Sequence, residues 1–132
     1  MLKLTKKLEY SLIALRYMRK MEYGQLSTAR EIADEFCIPK EILAKTLQQL
    51  SKLEIVHSVK GPSGGYRVKK SFSNLRLMDF IESVEGPQGL VDCEVESECT
   101  IIDCCNIRQP IKAINQNLKN MFNNILVTEI TQ

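Results

Sequence analysis

Residues 26–70 read LSTAREIADEFCIPKEILAKTLQQLSKLEIVHSVKGPSGGYRVKK, and this stretch decides the fold. Thr28-Ala29-Arg30-Glu31 has the form of a capping box, a hydroxyl at the N-cap with an acid three residues on. Ile32, Ala33 and Phe36 then fall on one helical face and are expected to point inward. The helix stops before Cys37-Ile38-Pro39, and Pro39 suits the first turn of a second helix, where its missing N–H costs nothing. That helix runs to about Leu53. Leu43, Leu47, Leu50 and Leu53 line one side, and Lys40, Glu41, Ala44, Lys45, Gln48 and Gln49 the other. Two short helices joined by a tight turn form a helix-turn-helix. Residues 55–60 and 66–70 have strand composition, and Gly61-Pro62-Ser63-Gly64-Gly65 between them must turn, so a β-hairpin follows. Helix, turn, helix, hairpin is a winged helix-turn-helix.

Working outward, residues 5–20 predict a helix with Thr5 as N-cap. Leu8, Leu12, Leu15 and Arg19 share its face, widened by Ile13 and Tyr17, and Gly24 ends the element or the turn after it. Beyond Ser73 a short helix is expected, with Leu77, Phe80, Ile81 and Val84 inward. Gly86-Pro87-Gln88-Gly89 breaks the chain, and residues 90–105 form a loop with little periodicity. A last helix starts near Asn106. Ile107, Ile111, Ile114, Leu118, Met121 and Ile125 recur along it in a heptad-like stripe. A single-domain core would bury such a stripe, but a long helix ending a small domain also packs against its twin. A homodimer is therefore expected. The fold class is mainly α with a small hairpin wing. It divides into a winged helix-turn-helix domain at 1–85, a cysteine loop at 86–105, and a dimerisation helix with a C-terminal tail at 106–132.

With 132 residues, 44% hydrophobic and 26% charged, the chain fits one domain, or one domain with a short extension, and the composition argues against disorder or a large multidomain enzyme. No apolar run is long enough for a membrane span. The basic start, Lys3 to Lys7, leads into Leu8-Glu9-Tyr10 and not into an apolar signal core, so a cytoplasmic protein is expected. The net charge of +2 hides an asymmetry. Residues 1–70 hold 14 Lys/Arg against 7 Asp/Glu, a net +7, and residues 71–132 hold 4 against 9, a net −5. A basic half suits a polyanion, because neutralising phosphates releases counterions; an uneven solvated surface is the alternative. There is no glycine-rich phosphate loop opening a helix, no Ser/His/Asp set, and His57 is the only histidine. An enzyme is not expected. His57 itself, on a strand, is read as structural or phosphate-contacting.

Five cysteines stand at 37, 93, 99, 104 and 105. Four of them fall within 13 residues, and in a reducing compartment such a cluster points to metal binding or redox activity before a disulfide framework. Asp92, Glu94, Glu96, Glu98 and Asp103 surround them. Like-charge repulsion from those acids disfavours bare thiolates, which argues for metal ligands over a free reactive thiol. Cys37, in the turn between two helices, is expected to be a small core residue.

Three of these features together carry a resemblance. Residues 4–12, Leu4-Thr5-Lys6-Lys7 through Tyr10-Ser11-Leu12, look like the opening helix of the Rrf-type winged-helix transcription regulators, among them the iron–sulfur sensors IscR and NsrR. Val59-Lys60-Gly61-Pro62-Ser63-Gly64-Gly65-Tyr66 resembles that family's wing signature, usually R-G-P-x-G-G-Y. The C-x5-C-x5-C spacing of Cys93, Cys99 and Cys105 matches its cluster loop. The matches come in the family's order and cover essentially the whole chain.

The resemblance implies a second helix lying in the major groove of double-stranded DNA and a wing touching the minor groove. On this chain that implicates Lys40, Glu41 and Lys45, then Lys60, Gly61 and Gly64 in the wing. Glu41 either accepts from a cytosine amine or serves as an N-terminal dipole partner. Ser27 and Thr28 sit at a helix N-terminus, where backbone N–H groups favour a phosphate. Lys60 stands where Arg is common, keeping the charge and losing the planar fork. Dimers of this kind read pseudo-palindromic operators.

For the cluster, the resemblance implies Cys93, Cys99 and Cys105 as three ligands. The IscR-type fourth ligand, a His three residues after the last Cys, is Arg108 here. The NsrR-type ligand, a carboxylate on the first helix reaching across from the other copy, corresponds to Glu9; a related sensor's His would fall at Ile13. Cys104 is an alternative fourth ligand. A [4Fe–4S] cluster is favoured over [2Fe–2S], with structural zinc or a thiol-only switch as rivals, and redox state, nitric oxide or iron and cluster supply as candidate signals. A protein–protein adaptor that binds no DNA is a further alternative.

Overall fold

The computed structural model describes residues 3–22, 24–95 and 99–132, with the backbone alone at Asp92. Thr5 caps helix α1 (Lys6–Arg19), its side chain accepting from the Leu8 amide. The buried face of α1 is Leu8, Ser11, Ala14, Leu15 and Met18, so Leu12 is left half-buried at the margin. Ser11 is tolerated there because its hydroxyl donates to the Lys7 carbonyl at 2.8 Å.

Helix α2 (Ala29–Phe36) is capped by Thr28, which accepts from the Glu31 amide at 3.1 Å. Ile32 and Ala33 are buried as the sequence predicts, but Phe36 is 43% exposed. The cause lies in the next residue. Cys37 turns left-handed at φ 55, ending the helix and swinging Ile38 into the core in place of Phe36. Phe36 instead meets Tyr17 edge-on, with ring centroids 5.9 Å apart. Cys37 is exposed, which corrects its reading as a core residue.

Helix α3 (Lys40–Lys52) begins directly after Pro39 and buries Leu43, Thr46, Leu47 and Leu50. Helices α1 and α2 both pack on it, and this three-helix contact holds the main core. Strands β1 (Val56–Val59) and β2 (Gly65–Val68) pair antiparallel in the register Val56↔Val68, His57↔Arg67, Ser58↔Tyr66, Val59↔Gly65. Each is shorter than its run of strand-forming residues. A third partner appears at Ser27, whose backbone exchanges two hydrogen bonds with Tyr66 at 2.9 and 2.7 Å. The wing is thus stitched to the segment that leads into α2.

A 3₁₀ turn (Lys70–Asn74) buries Phe72, and helix α4 (Leu77–Glu85) buries Leu77, Met78, Phe80, Ile81 and Val84. Helix α5 (Arg108–Asn123) packs on α4. Its buried Asn115 accepts from the Leu90 amide at 3.1 Å, and Lys119 meets Glu82 at 3.5 Å. The helix stops earlier than its apolar stripe suggests. After Asn124 the chain pairs with the segment before α4, Leu77 N–H to Ile125 O at 2.8 Å and Val127 N–H to Leu75 O at 2.9 Å. The short helix α6 (Val127–Ile130) then seats a fully buried Val127. Ile125 therefore packs, half-buried, against the domain core. Ile107, Ile114 and Met121, spaced by seven, stay 55%, 53% and 52% exposed. No helix among the described residues is long and apolar enough to cross a membrane.

Candidate nucleic-acid interface

The face of α3 opposite its buried leucines carries Glu41, Lys45 and Gln48, all exposed, at the spacing of one helical stripe. Lys40 is exposed beside them and lies 3.5 Å from Asp34 of α2, both side chains more than half in solvent. Such a pair contributes little, so drawing Lys40 away from Asp34 costs little. Glu41 stands in the first turn, where an acid complements the helix N-terminus. Ile42, which the sequence reading did not single out, is 46% exposed on the same turn. Its signal was its place outside the leucine stripe. Apolar side chains on such a helix match the thymine methyl group.

Thr28 and Ser27 divide. Thr28 caps α2 and stays half-exposed, whereas Ser27 is fully buried and presents no side chain to a ligand. The Ser27 hydroxyl has no hydrogen-bond partner among the described residues. At the wing tip Val59, Lys60, Gly61, Pro62 and Ser63 are exposed. Gly61 takes φ +108, and the Gly64 amide donates to its carbonyl at 3.0 Å. A Cβ at Gly64 would lie 2.1 Å from the Val59 carbonyl oxygen, so the tip closes only with glycine there. His57 is exposed on β1 opposite Arg67.

The cysteine loop follows α4. Cys93 lies in a 3₁₀ turn (Asp92–Glu94) and is half-buried, as are Cys99 and Cys105; Cys104 is exposed, and all are free thiols. Residues 96–98, two of the acids around the cysteines among them, lie outside the described residues. Tight turns bring the Ile102 amide to the Cys99 carbonyl at 3.4 Å and the Cys104 amide to the Ile101 carbonyl at 3.0 Å. Glu9, half-buried on α1, accepts from Lys6 at 3.0 Å. That hydrogen bond, with the carboxylate's charge behind it, holds the Lys6 ammonium above the ordinary lysine range. The pair is solvent-facing, so releasing Glu9 to another ligand costs little. Arg108 opens α5.

As a donor set, three reduced cysteines within one loop suit a soft-metal or iron–sulfur group. Among the described residues no three His, Cys, Asp or Glu side chains gather as a metal site.

Comparison with known proteins bears on the whole arrangement. CymR, the global cysteine regulator of B. subtilis, superposes with a TM-score of 0.74 at 21% identity, over 99% of this chain and 97% of its own. CymR of Staphylococcus aureus gives 0.71 at 20% identity, over 97% of each chain. The T. potens IscR gives 0.70 at 16%, over 97% of this chain and 85% of its own. These likenesses show the shared fold. The family model described as Rrf2, iron-dependent transcriptional regulator, matches residues 4–132. A helix-turn-helix, a glycine-closed wing and a C-terminal helix in one order thus meet a match over nearly the full length, and the chain belongs to the Rrf2 family of transcriptional regulators.

Proposed function

We propose that this chain acts as a homodimeric regulator that reads a pseudo-palindromic operator and changes its operator affinity with the state of an iron–sulfur cluster. The observation that carries the reading is the combination, in one small chain, of an exposed cationic helix-turn-helix with a loop of four free thiols. Thr28, Lys40, Glu41, Ile42 and Lys45 face the major groove and its phosphates; Lys60, Gly61 and Gly64 approach the minor groove. Ser27 contributes through its backbone, by fixing the wing. The exposed Ile107 at the N-cap of α5, with Ile114 and Met121 along it, supports pairing with a second copy, since a seven-residue apolar repeat is the seam of a helix pair.

Cys93, Cys99 and Cys105 would hold the cluster, with Glu9 of the second copy as fourth ligand and Cys104 as its alternative. When bound, the cluster supplies redox and ligand-exchange chemistry of iron. The chain's own part is to hold three thiolates in one loop and to keep a carboxylate on the first helix, loosely paired with Lys6. A carboxylate is the harder, more exchangeable ligand for iron. The [4Fe–4S] form is favoured because four ligands then serve four irons.

The test is anaerobic purification with iron, sulfide and zinc counts, followed by operator binding at fixed salt before and after cluster removal. Iron and sulfide near about four each per chain, and a changed affinity on removal, are expected; about two each would keep the sensor and change the cluster. Zinc alone, or no metal after attempted reconstitution, would sink the cluster mechanism. Unchanged affinity after removal would defeat the sensing. A second reading, a thiol switch, is favoured by the free, exposed Cys104 and by S. aureus CymR having been solved in an oxidised form. It predicts an affinity change on mild oxidation in the absence of iron.

A further inference from the structure

A cleft of about 880 Å³ opens between the end of α1, the base of the wing, the 3₁₀ turn after β2 and α6. Met18 and Phe72 give it an apolar floor. Arg19, His57, Arg67 and Lys69 stand around it, and Glu22 is the one acid among the described residues that line it.

The pairing in the wing puts this cleft on a different face from α3. Ser58 Oγ lies 3.3 Å from Ser51 Oγ of α3, so Ser58 faces the reading helix. Side chains alternate along a strand. His57 and its cross-strand partner Arg67 therefore face away from α3. Arg19 is held ready on that side. Its Nη1 donates to the Thr128 carbonyl at 2.7 Å and to Thr131 Oγ1 at 3.1 Å, and the guanidinium lies 5.7 Å from the Phe72 ring centroid. Both hydrogen bonds use one nitrogen, and a guanidinium fixed in advance loses less entropy when it takes a ligand. A concave site with an apolar floor and convergent cations has the chemistry of an organic-anion pocket.

We infer that this cleft binds a small organic anion, a carboxylate or phosphate on a partly apolar body, at a site separate from the DNA-reading surface. The separateness rests on α3 and the wing tip being that surface; the anion binding does not. An anion held between Arg19 on α1 and Arg67 on β2 joins the first helix to a strand of the wing itself, so its occupancy bears on wing position.

The test is an amide-resolved NMR titration of the labelled full-length protein with phenyl phosphate, benzoate and neutral benzyl alcohol, at ionic strength held constant with chloride. Saturating shifts at Arg19, His57, Arg67 and Phe72 with either anion by about 10 mM, and none with the alcohol, are expected. Response to phenyl phosphate alone assigns a phosphate ligand, and response to benzoate alone a carboxylate. Arg67→Ser should weaken binding about tenfold through loss of a charge-assisted hydrogen bond, Arg67→Lys should keep most of it, and Glu22→Gln should tighten it. Shifts that stay linear, that chloride reproduces, or that the alcohol matches would overturn the site. A DNA duplex that displaces the anion would assign the cleft to the phosphate backbone and overturn it equally. A duplex that moves Lys45 and Lys60 while the anion stays bound supports it. A duplex that moves neither region refutes the reading of α3 and leaves the anion result standing.

Discussion

Ser27 and Thr28 are adjacent hydroxyls before a helix, and in sequence they look alike. The structure separates them, because Tyr66, far along the chain, pairs with the Ser27 backbone and buries its side chain. No local pattern carries that pairing. Ser27→Ala removes a desolvated, unpartnered hydroxyl and is expected to leave stability unchanged or raise it by up to about 1 kcal/mol. Thr28→Ala removes the α2 cap and should cost about 1 kcal/mol. Urea unfolding midpoints check both. On the reading helix, Lys45→Ala should weaken DNA binding about equally across sequences and reduce the salt slope by roughly one. Ile42→Ser should instead weaken binding mainly to sites whose thymine methyls it meets, by about 1 kcal/mol or more, and replacing those thymines with uracil should erase the difference.

At the scale of elements, the helix-turn-helix and wing were legible because capping, apolar period and turn glycines agreed over residues 28–68. Phe36 was misplaced for a physical reason. It ends an eight-residue helix, and the left-handed Cys37 turn hands its core position to Ile38. The end of α5 was likewise hidden, since backbone pairing at Leu75 and Leu77 stops the helix while the apolar spacing runs on to Ile125. Two elements carry predictions. Gly64→Ala forces a Cβ into the Val59 carbonyl and should open the wing tip, lowering DNA affinity while thermal unfolding of the helical core changes little. Ile114→Glu places a charge in the middle of the exposed α5 stripe; sedimentation should then report a monomer, and operator affinity should fall with it.

Over the whole molecule, a basic first half and an acidic second half coincide with the winged helix-turn-helix and with the cysteine loop and α5. The spacing of the cysteines was legible as a resemblance, and on the proposed reading a second copy completes the ligand set: Glu9 sits on α1, in an exposed pair with Lys6. Operator affinity should therefore depend on protein concentration as well as on cluster content. Glu9→Ala should lower the iron retained per dimer after exposure to air, with the fold unchanged by circular dichroism.

Helix α5 is tied to α4 through Lys119 and to the start of the cysteine loop through Asn115, and the strand-like return at Ile125 and Val127 ties off its far end. Two copies joined along α5 would behave as calipers locked at one opening, with the gap between their points set by how each seam helix is bolted to its own body. Such a gauge reads length as strictly as letters. One base pair added between half-sites turns the second by about 35° and carries it off the point, whereas a full turn of about 10 to 10.5 base pairs restores its facing and not its reach.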